Sequence, residues 1–287
     1  MTKLLIKDPA KVVPVVRYRH VTPNGGSFNC SPENFKAHMQ YLLSRGFTTI
    51  SAKEFAAFMK RGEPLPEKSI LITFDGGYLD NYVFAFPILL RFALKASVFL
   101  STSVIREGEA RGTTSGSEIL PFCPTHEECK QRINLGHPET VMMNWDEIRL
   151  MRQSGLVDFH SFAHTQTRWD QQLNEEGKNL AMKKELDQSK ELLLKELGEV
   201  SEHLSWPHGY FDEDYIALAK EAGFDILYTW DEFGFNQAEQ NLEHIYRIDV
   251  PNKGSSTLAN MLFFARKPHL GKIYFQYKQK KLAKKQK

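Results

Sequence analysis

Short apolar runs alternate with helix-like stretches along this chain, and this alternation limits the possible folds more than any other feature. The order strand then helix recurs at least six times. Residues 69–74 are a typical run: they follow Pro64 and Pro66 and have the composition of a short strand buried on both faces. Because parallel strands are joined by crossover helices, this order predicts an α/β fold with a mainly parallel sheet and helices outside it.

Polar residues come directly after several of the predicted strands. They are His20, Asp75, His160, His164, His208 and the stretch after Thr229. In a barrel, the carboxyl ends of parallel strands lie at one face, so these residues are expected to converge there. Asp75 is followed by Gly76 and Gly77, which lack a Cβ and let the backbone turn sharply beside a ligand.

The composition is that of a globular protein in a reducing compartment. The chain of 287 residues is 41% hydrophobic and 25% charged, and its three cysteines are an odd number. Charged residues interrupt the first eight positions, and no apolar run approaches the roughly 18 residues that a membrane span needs. We therefore expect a cytoplasmic protein with reduced thiols.

Two segments stand apart from the alternation. Residues 101–140 contain several Gly and Pro, and this loop insertion is predicted to be a binding loop, a lid or disordered. Residues 271–287 are predicted to form a basic tail, because Lys278–Lys287 contains six lysines and no acid. A solvated, disordered tail is the favoured interpretation. The alternative is peripheral contact with an anionic inner membrane face, worth about 1 kcal/mol per lysine. The rest of the chain is acidic and contains no nucleic-acid recognition motif, so no nucleic acid partner is expected.

His160 and His164 are four residues apart, a spacing that lets two imidazoles face one metal ion. Asp75 would add a carboxylate, either as a ligand or as a base. Two histidines with a carboxylate are a common catalytic metal set. A histidine pair is more often hydrogen-bonded structure, however, so the spacing alone leaves both interpretations open.

Taken together, these motifs resemble those of the polysaccharide deacetylase (NodB-like) family. Residues 73–81, TFDGGYLDN, resemble its first motif, TFDDGYxDN. His160–His164 matches its second motif, H-S/T-x-x-H, and Trp206–Tyr210 is similar to its third, aromatic-Pro-aromatic-Gly. The remaining similarities are residues 13–20 to the opening strand, and Gly234–Asn236 with Arg247–Ile248 to the closing part.

This resemblance implies a distorted (β/α) barrel of about seven mainly parallel strands, formed by residues 1–270. It implies a hydrolase that removes N-acetyl groups from N-acetylglucosamine in a glycan, such as a lipopolysaccharide-core or other lipid-linked precursor. It also implies a divalent metal, with zinc expected and nickel, cobalt or manganese as alternatives.

The resemblance also assigns roles to particular residues. Asp75 corresponds to the general base, and His160 and His164 to the metal-binding histidines. The backbone near His208 corresponds to an oxyanion donor, and His244 is the nearest counterpart of a general acid. Substrate contacts are expected from Tyr78, Trp206, Pro207, Tyr210, Trp230 and Arg247. Sugar rings stack on aromatic faces, although core packing is the alternative for about half of the aromatic residues.

Gly76 departs from the family pattern, because it stands where the second acid, usually the third metal ligand, is found. The metal could be held by the two histidines with more water or with Asp75. Another residue, His208 or Asp80, could fill the gap; Asp80 could equally cap a helix, and His208 could be a stacked wall residue. A catalytically degenerate carbohydrate-binding protein is the main rival hypothesis, and an amidohydrolase acting on a small nitrogen compound is a third.

Overall fold

The computed structural model describes residues 8–285, with side chains from 8 to 280. Its strands, in chain order, are β1 (Val15–Tyr18), β2 (His20–Val21), β3 (Asn29–Cys30), β4 (Thr48–Thr49), β5 (Ser69–Gly76), β6 (Ala96–Leu100), β7 (Val157–Ser161), β8 (His203–Ser205), β9 (Ile226–Tyr228) and β10 (Ile248–Asp249). Its helices are α1 (Pro32–Ser44), α2 (Ala52–Arg61), α3 (Phe86–Phe92), α4 (His126–Asn134), α5 (Trp145–Gln153), α6 (Glu175–Leu197), α7 (Glu213–Glu221), α8 (Ser255–Ala265) and α9 (Pro268–Lys285).

Seven strands form one curled parallel sheet, which confirms the predicted fold class. Their order is β10-β1-β5-β6-β7-β8-β9, and every neighbouring pair is parallel. The short β4 pairs with the start of β5, while β2 and β3 form a separate parallel pair. The strand β5, which ends in the predicted first motif, therefore lies next to β1 in the sheet. Helices pack outside the sheet.

One segment near the end of the sheet closes it. Ile245 makes a parallel bridge to Tyr228 of β9, and Ile248 pairs with Val16 of β1. Residues 245–249 thus join both edges of the curled sheet. Arg247 lies between these two pairings, and its backbone N–H donates to the carbonyl of Asp231.

Side chains alternate along β5 between the outside and the inside of the curled sheet. Ile70, Ile72 and Phe74 pack with residues of the outer helices, whereas Leu71 joins an inner cluster with Phe99. Asp75 shares the parity of Leu71, so its carboxylate enters the interior at the carboxyl end of the strand.

Several helix boundaries follow ordinary capping chemistry. The Ser31 hydroxyl accepts from the Asn34 N–H at the start of α1, and Ser51 forms a reciprocal capping box with Glu54 at the start of α2. A π-helical turn at Asn81–Ala85 leads into α3, and Pro87 occupies the first turn of α3, where a missing N–H costs little.

Two predicted irregular segments contain helices. The loop over 101–140 includes α4, which starts at a capping box formed by Thr125 and Glu128.

The chain after residue 250 forms α8 and α9, and α9 continues to Lys285, so the favoured prediction of a disordered tail is corrected. The predicted domain boundary at residue 270 falls inside α9. The helix α9 is attached to the rest of the protein by the ring of Phe275, which packs against Phe233 and Phe235.

Candidate active site

Residues that follow β1, β5, β8 and β9 meet at the carboxyl ends of the strands, and we call this region the mouth. Trp230 is central to it: the guanidinium carbons of Arg17 and Arg19 lie 4.3 and 4.9 Å from its ring centroid. The further members of the mouth are Phe28, Asp75, Tyr78, His126 and His208. The predicted convergence therefore holds for His20, Asp75, His208 and Trp230, which lies in the stretch after Thr229.

Asp75 is fully buried and held by two arginines. Arg247 donates from Nη1 to Oδ1 at 2.7 Å and from Nη2 to Oδ2 at 3.0 Å, a fork-like pair. Arg17 Nη1 lies 3.9 Å from Oδ2. Burial lowers the pKa of Arg247, and the charge of Asp75 opposes that shift. Asp75 is therefore a paired carboxylate, and each of its oxygens keeps a further lone pair for a substrate or water proton.

Arg247 was predicted to contact substrate, but its position makes it a positioning residue. Its side chain is completely buried, and it also donates to the Ser205 hydroxyl and the Thr229 carbonyl, both at 2.8 Å. Its hydrogen bonds connect the closing segment, β8 and the residue after β9 to Asp75 on β5. The orientation of Asp75 therefore depends on closure of the sheet.

The space beside Gly76 is occupied by the ring of Tyr78. Gly76 has φ of +106°, and a Cβ at this position would lie 2.6 Å from Tyr78 Cε2. Tyr78 is itself 5% exposed and packs against His20, with ring centroids 4.0 Å apart. Burial raises the pKa of Tyr78 to about 12, so it stays a neutral phenol. The ring fills the place that an acidic side chain at position 76 would need.

His160 faces the opposite end of the sheet. Its Nδ1 is 2.6 Å from the Ser201 hydroxyl, and its Nε2 is 3.0 Å from Asp158 Oδ1. With His203 it lines a cleft among the residues that directly precede β6, β7 and β8. Both ring nitrogens of His160 are therefore engaged at the amino ends of the strands, away from the mouth.

His164 lies at the carboxyl ends instead. Its Nδ1 is 2.9 Å from the Thr102 hydroxyl, and its backbone N–H donates to the buried Glu185 at 2.9 Å. Burial lowers the pKa of His164, and Glu185 opposes that shift. The chain turns through a left-handed residue, Ala163 (φ 58°), which carries His164 away from the direction of His160.

The predicted metal set is therefore not assembled. Asp75 is taken up by Arg247, Gly76 offers no carboxylate, and His160 and His164 bind separate partners. Across the described part of the chain, no group of three or more His, Cys, Asp or Glu could hold a metal ion. Asp80 does not fill the gap, because it accepts from His20 Nδ1 and from the Val21 N–H. These donors do not fit the metal that the family resemblance implies.

A buried chain of polar groups enters the mouth, and its last member, His126, was not predicted to belong to the site. Asp80 Oδ2 is 2.7 Å from His20 Nδ1, and His20 Nε2 is 3.0 Å from His126 Nδ1. Burial, then His20 and Arg19, lowers the pKa of His126 to about 3, so its imidazole is neutral. The capping box of α4, readable as Thr125 and Glu128, was the signal that would have placed His126 at a helix start.

Three predicted substrate residues do not line the mouth. Trp206 is fully buried and stacks on Phe211 and Tyr215 in the core, with Pro207 buried beside it, so neither can meet a sugar. Tyr210 donates to Asp212 at 3.3 Å and lies under Arg168.

The remaining predicted residues lie at the rim or outside it. His208 adopts a left-handed conformation (φ 56°), and its exposed ring is 6.3 Å from that of Trp230. Burial and then Arg19 lower the pKa of His208. Gly209 permits this packing, since a Cβ there would lie 2.6 Å from Trp230 Cγ. His244 pairs with Asp231 at 2.7 Å and has no recorded contact with Asp75.

Replacing Gly76 by Asp is expected to lower stability by about 1–3 kcal/mol and to create no zinc site. The new Cβ would press on the packed Tyr78 ring, and φ of +106° is unfavourable for a side chain. Urea denaturation and zinc calorimetry measure both effects. Gly116→Asp is the matched control, because a Cβ there meets nothing within 4 Å. A stable Gly76→Asp protein that binds zinc would show that the site is only a depleted metal site.

Replacing Arg247 by Met should cost about 3–5 kcal/mol of stability, because it leaves the buried Asp75 charge without its main partner. Arg247→Met combined with Asp75→Asn should recover part of that loss, since both charges are then removed. Urea denaturation of the two single variants and the double variant gives the coupling energy. Additive single effects would contradict the pairing.

The family model described as polysaccharide deacetylase matches residues 62–227. The Bacillus subtilis protein YxkH, named for polysaccharide deacetylases, is 24% identical over 245 residues, covering 85% of this chain and 73% of its own. A poly-beta-1,6-N-acetyl-D-glucosamine N-deacetylase of Staphylococcus aureus is 22% identical over 213 residues, covering 72% of this chain and 62% of its own length.

Two solved structures have the same fold. IcaB from Ammonifex degensii superposes with a TM-score of 0.69 at 19% identity, covering 88% of this chain and 98% of its own. The Streptococcus pyogenes deacetylase PplD superposes with a TM-score of 0.68 at 19% identity, covering 89% and 99%. The family model spans more than half of the sequence and includes the strand that carries Asp75. The chain therefore belongs to the polysaccharide deacetylase family.

Proposed function

We propose that this protein removes N-acetyl groups from N-acetylglucosamine units of a glycan, and that the reaction takes place at the mouth. The observation that carries the proposal is the placement of Asp75. It lies at the carboxyl end of β5, inside the matched family region. The next residue, Gly76, packs against the Tyr78 ring, and Arg17 lies between Asp75 and the Trp230 ring. The Staphylococcus relative, whose name gives that activity, supports the choice of substrate.

Hydrolysis of an N-acetyl group needs a base for the attacking water. Water oxygen adds to the acetyl carbon, the carbon–nitrogen bond breaks, the amine takes a proton and acetate leaves. The Asp75 carboxylate, oriented by its hydrogen bonds to Arg247, is the group that would take the proton from water. His208 remains the candidate for passing a proton to the amine, because its ring lies on the rim of the mouth. Its lowered pKa makes the imidazole neutral, so it must first take up the proton that the water releases. His244 is farther from this chemistry, since it pairs with Asp231.

Deacetylases of this family generally depend on a divalent metal. The donors described above do not fit such an ion, so no step is assigned to one.

A second candidate is a glycan-binding protein that does not catalyse hydrolysis. The Tyr78 ring beside Gly76 favours it, because that ring leaves no room for the missing acid. The fork-like pairing of Asp75 with Arg247 favours it as well, since it occupies one lone pair of each oxygen. Both candidates predict glycan binding at the mouth, and only the first predicts release of acetate.

Acetate release from β-1,4- and β-1,6-linked N-acetylglucosamine oligomers separates the two candidates. For the first, Asp75→Asn should lower the rate by about 10²–10⁴-fold, the usual loss of a general base. Asp187→Asn, an exposed position on α6, is the control expected to keep full activity. Each protein is assayed as purified, with added zinc and with a chelator, and its folding is checked by thermal denaturation. Binding without acetate under all three conditions would reject catalysis in favour of the binding protein.

We also propose that α9 rests on an anionic membrane surface, with the protein in the cytoplasm and its glycan lipid-linked. Leu270, Ile273 and Tyr277 are 47%, 68% and 64% exposed, and their spacing of three and four residues places them on one helical face. Exposed lysines, including Lys272 and Lys280, surround that face. An apolar stripe flanked by lysines is typical of a helix lying in a membrane interface. Within residues 8–285, no helix has the length and apolar content to cross a membrane.

Replacing Lys272, Lys278 and Lys280 together by Gln should weaken binding to phosphatidylserine-containing vesicles by on the order of a hundredfold. The reason is that each lysine near the surface contributes about 1 kcal/mol. Vesicle co-sedimentation measures the change. Replacing three lysines of α6 (Lys183, Lys184 and Lys195) is the control for net charge. Equal binding by the two triple variants would rule out a specific contact through α9.

A further inference from the structure

Arg19 is a buried cation without a partner. It is 8% exposed, and within residues 8–280 its guanidinium makes no recorded hydrogen bond or ion pair. Two aromatic rings flank it instead: its guanidinium carbon is 4.7 Å from the Phe28 centroid and 4.9 Å from that of Trp230. Burial is the main cause that lowers the pKa of Arg19. A buried charge of this kind is costly unless something pairs with it.

Two further N–H donors around the same ring lack acceptors. Arg17 uses Nε and Nη2 on Asp249, at 3.3 and 3.2 Å. Its buried Nη1 lies 3.9 Å from Asp75 Oδ2, too far for a hydrogen bond, and makes none. The buried Nε1 of Trp230 is also without a partner. Buried donors are nearly always satisfied in native proteins. Two unsatisfied donors beside the largely buried Arg19 guanidinium therefore indicate an acceptor that binds from outside.

The acidic groups of the mouth cannot supply that acceptor. Asp75 is paired with Arg247, and Asp249 with Arg17. Asp80 accepts from His20, the Val21 N–H and Asn81. Glu232, beyond Asp249, accepts from the Asp249 N–H. The mouth therefore has donors in excess, and the missing partner is an oxyanion.

We propose that Arg19, Arg17 Nη1 and Trp230 Nε1 form a subsite for an oxyanion carried by the glycan, a carboxylate or a phosphate. This inference rests on the proposed function and narrows its substrate class to acidic N-acetylated glycans. Phe28 and Trp230 supply aromatic faces for the sugar ring that carries the charge. Arginine suits this role, because its fork of donors matches the geometry of both oxyanions.

Calorimetry with defined probes tests the subsite. The carboxylate probe is a hyaluronan tetrasaccharide, in which N-acetylglucosamine alternates with glucuronate, and its neutral match is the tetramer of N-acetylglucosamine. The phosphate probe is N-acetylglucosamine 1-phosphate, matched by N-acetylglucosamine. At least one acidic probe should bind about tenfold or more tighter than its neutral match, since hydrogen bonds to charged groups are the strong ones. The pair that shows the preference identifies the source of the oxyanion.

Variants connect the preference to Arg19. Arg19→Gln should abolish the preference for the acidic probe while neutral binding persists, and Arg19→Lys should keep part of it. Arg91→Gln is the matched control, because Arg91 is an exposed arginine beside an aromatic ring, Phe92. Arg19→Met should not markedly lower the Tm, because the guanidinium has no hydrogen-bonding or ionic partner within residues 8–280 and the apolar Met side chain can still pack against Phe28 and Trp230. A marked loss of Tm would show that Arg19 is structural and would overturn the proposal.

The remaining outcomes separate this inference from the proposed function. Equal affinity for acidic and neutral probes would reject the oxyanion subsite and leave glycan deacetylation standing. Full competition by sodium acetate at similar affinity would also reject it, because the donors would then hold the product. Binding of the acidic probes through Arg19 with no acetate released from any glycan would keep the subsite and reject the enzyme.

Discussion

The pairing of Asp75 with Arg247 is the interaction on which the rest of this structure depends. Asp75 ends β5, and Arg247 belongs to the segment that joins both edges of the sheet. Two opposite charges removed from water hold these parts in one relative position, because misplacing either charge leaves the other buried alone. The same pair fixes the orientation of the candidate base at the mouth. Closure of the sheet and the orientation of Asp75 therefore depend on the same ion pair.

The sequence predicted the architecture well, because strand and helix periodicity is local information. The alternation gave the parallel sheet, and strand ends correctly located Asp75, His208 and Trp230. The spacing of His160 and His164 did not place their imidazoles together. Side chains four residues apart point the same way only where the backbone conformation is regular. Here β7 ends at Ser161 and the chain then turns through Ala163. Arg17, Arg19 and Phe28 were not identified, since their arrangement around Trp230 depends on contacts across the whole sheet.

The two ends of the curled sheet have different chemistry. The carboxyl ends carry arginines and aromatic rings around a paired carboxylate. The amino ends hold His160 and His203 in a cleft with hydroxyl and carboxylate partners. Because His160 lies at the amino ends and His164 at the carboxyl ends, the two histidines do not face one metal ion. At the mouth, Arg19 lies beside two ion pairs, Arg17 with Asp249 and Arg247 with Asp75, and its charge is the one that the proposed subsite uses.

The closing segment also fixes when the active centre can exist during synthesis of the chain. The hydrogen bonds between Arg247 and Asp75 join residues 172 positions apart, and the sheet has both edges free until residues 245–249 arrive. Such long-range closure is slow, and a growing chain with open edges is prone to pair with others. Until Arg247 docks, the Asp75 carboxylate has no arginine partner and is stable only in contact with water. Water therefore stays around the carboxyl end of β5 until residues 245–249 dock, and this delays packing of the sheet interior there. Nascent chains that end before residue 245 should therefore depend on chaperones more than their hydrophobic content suggests.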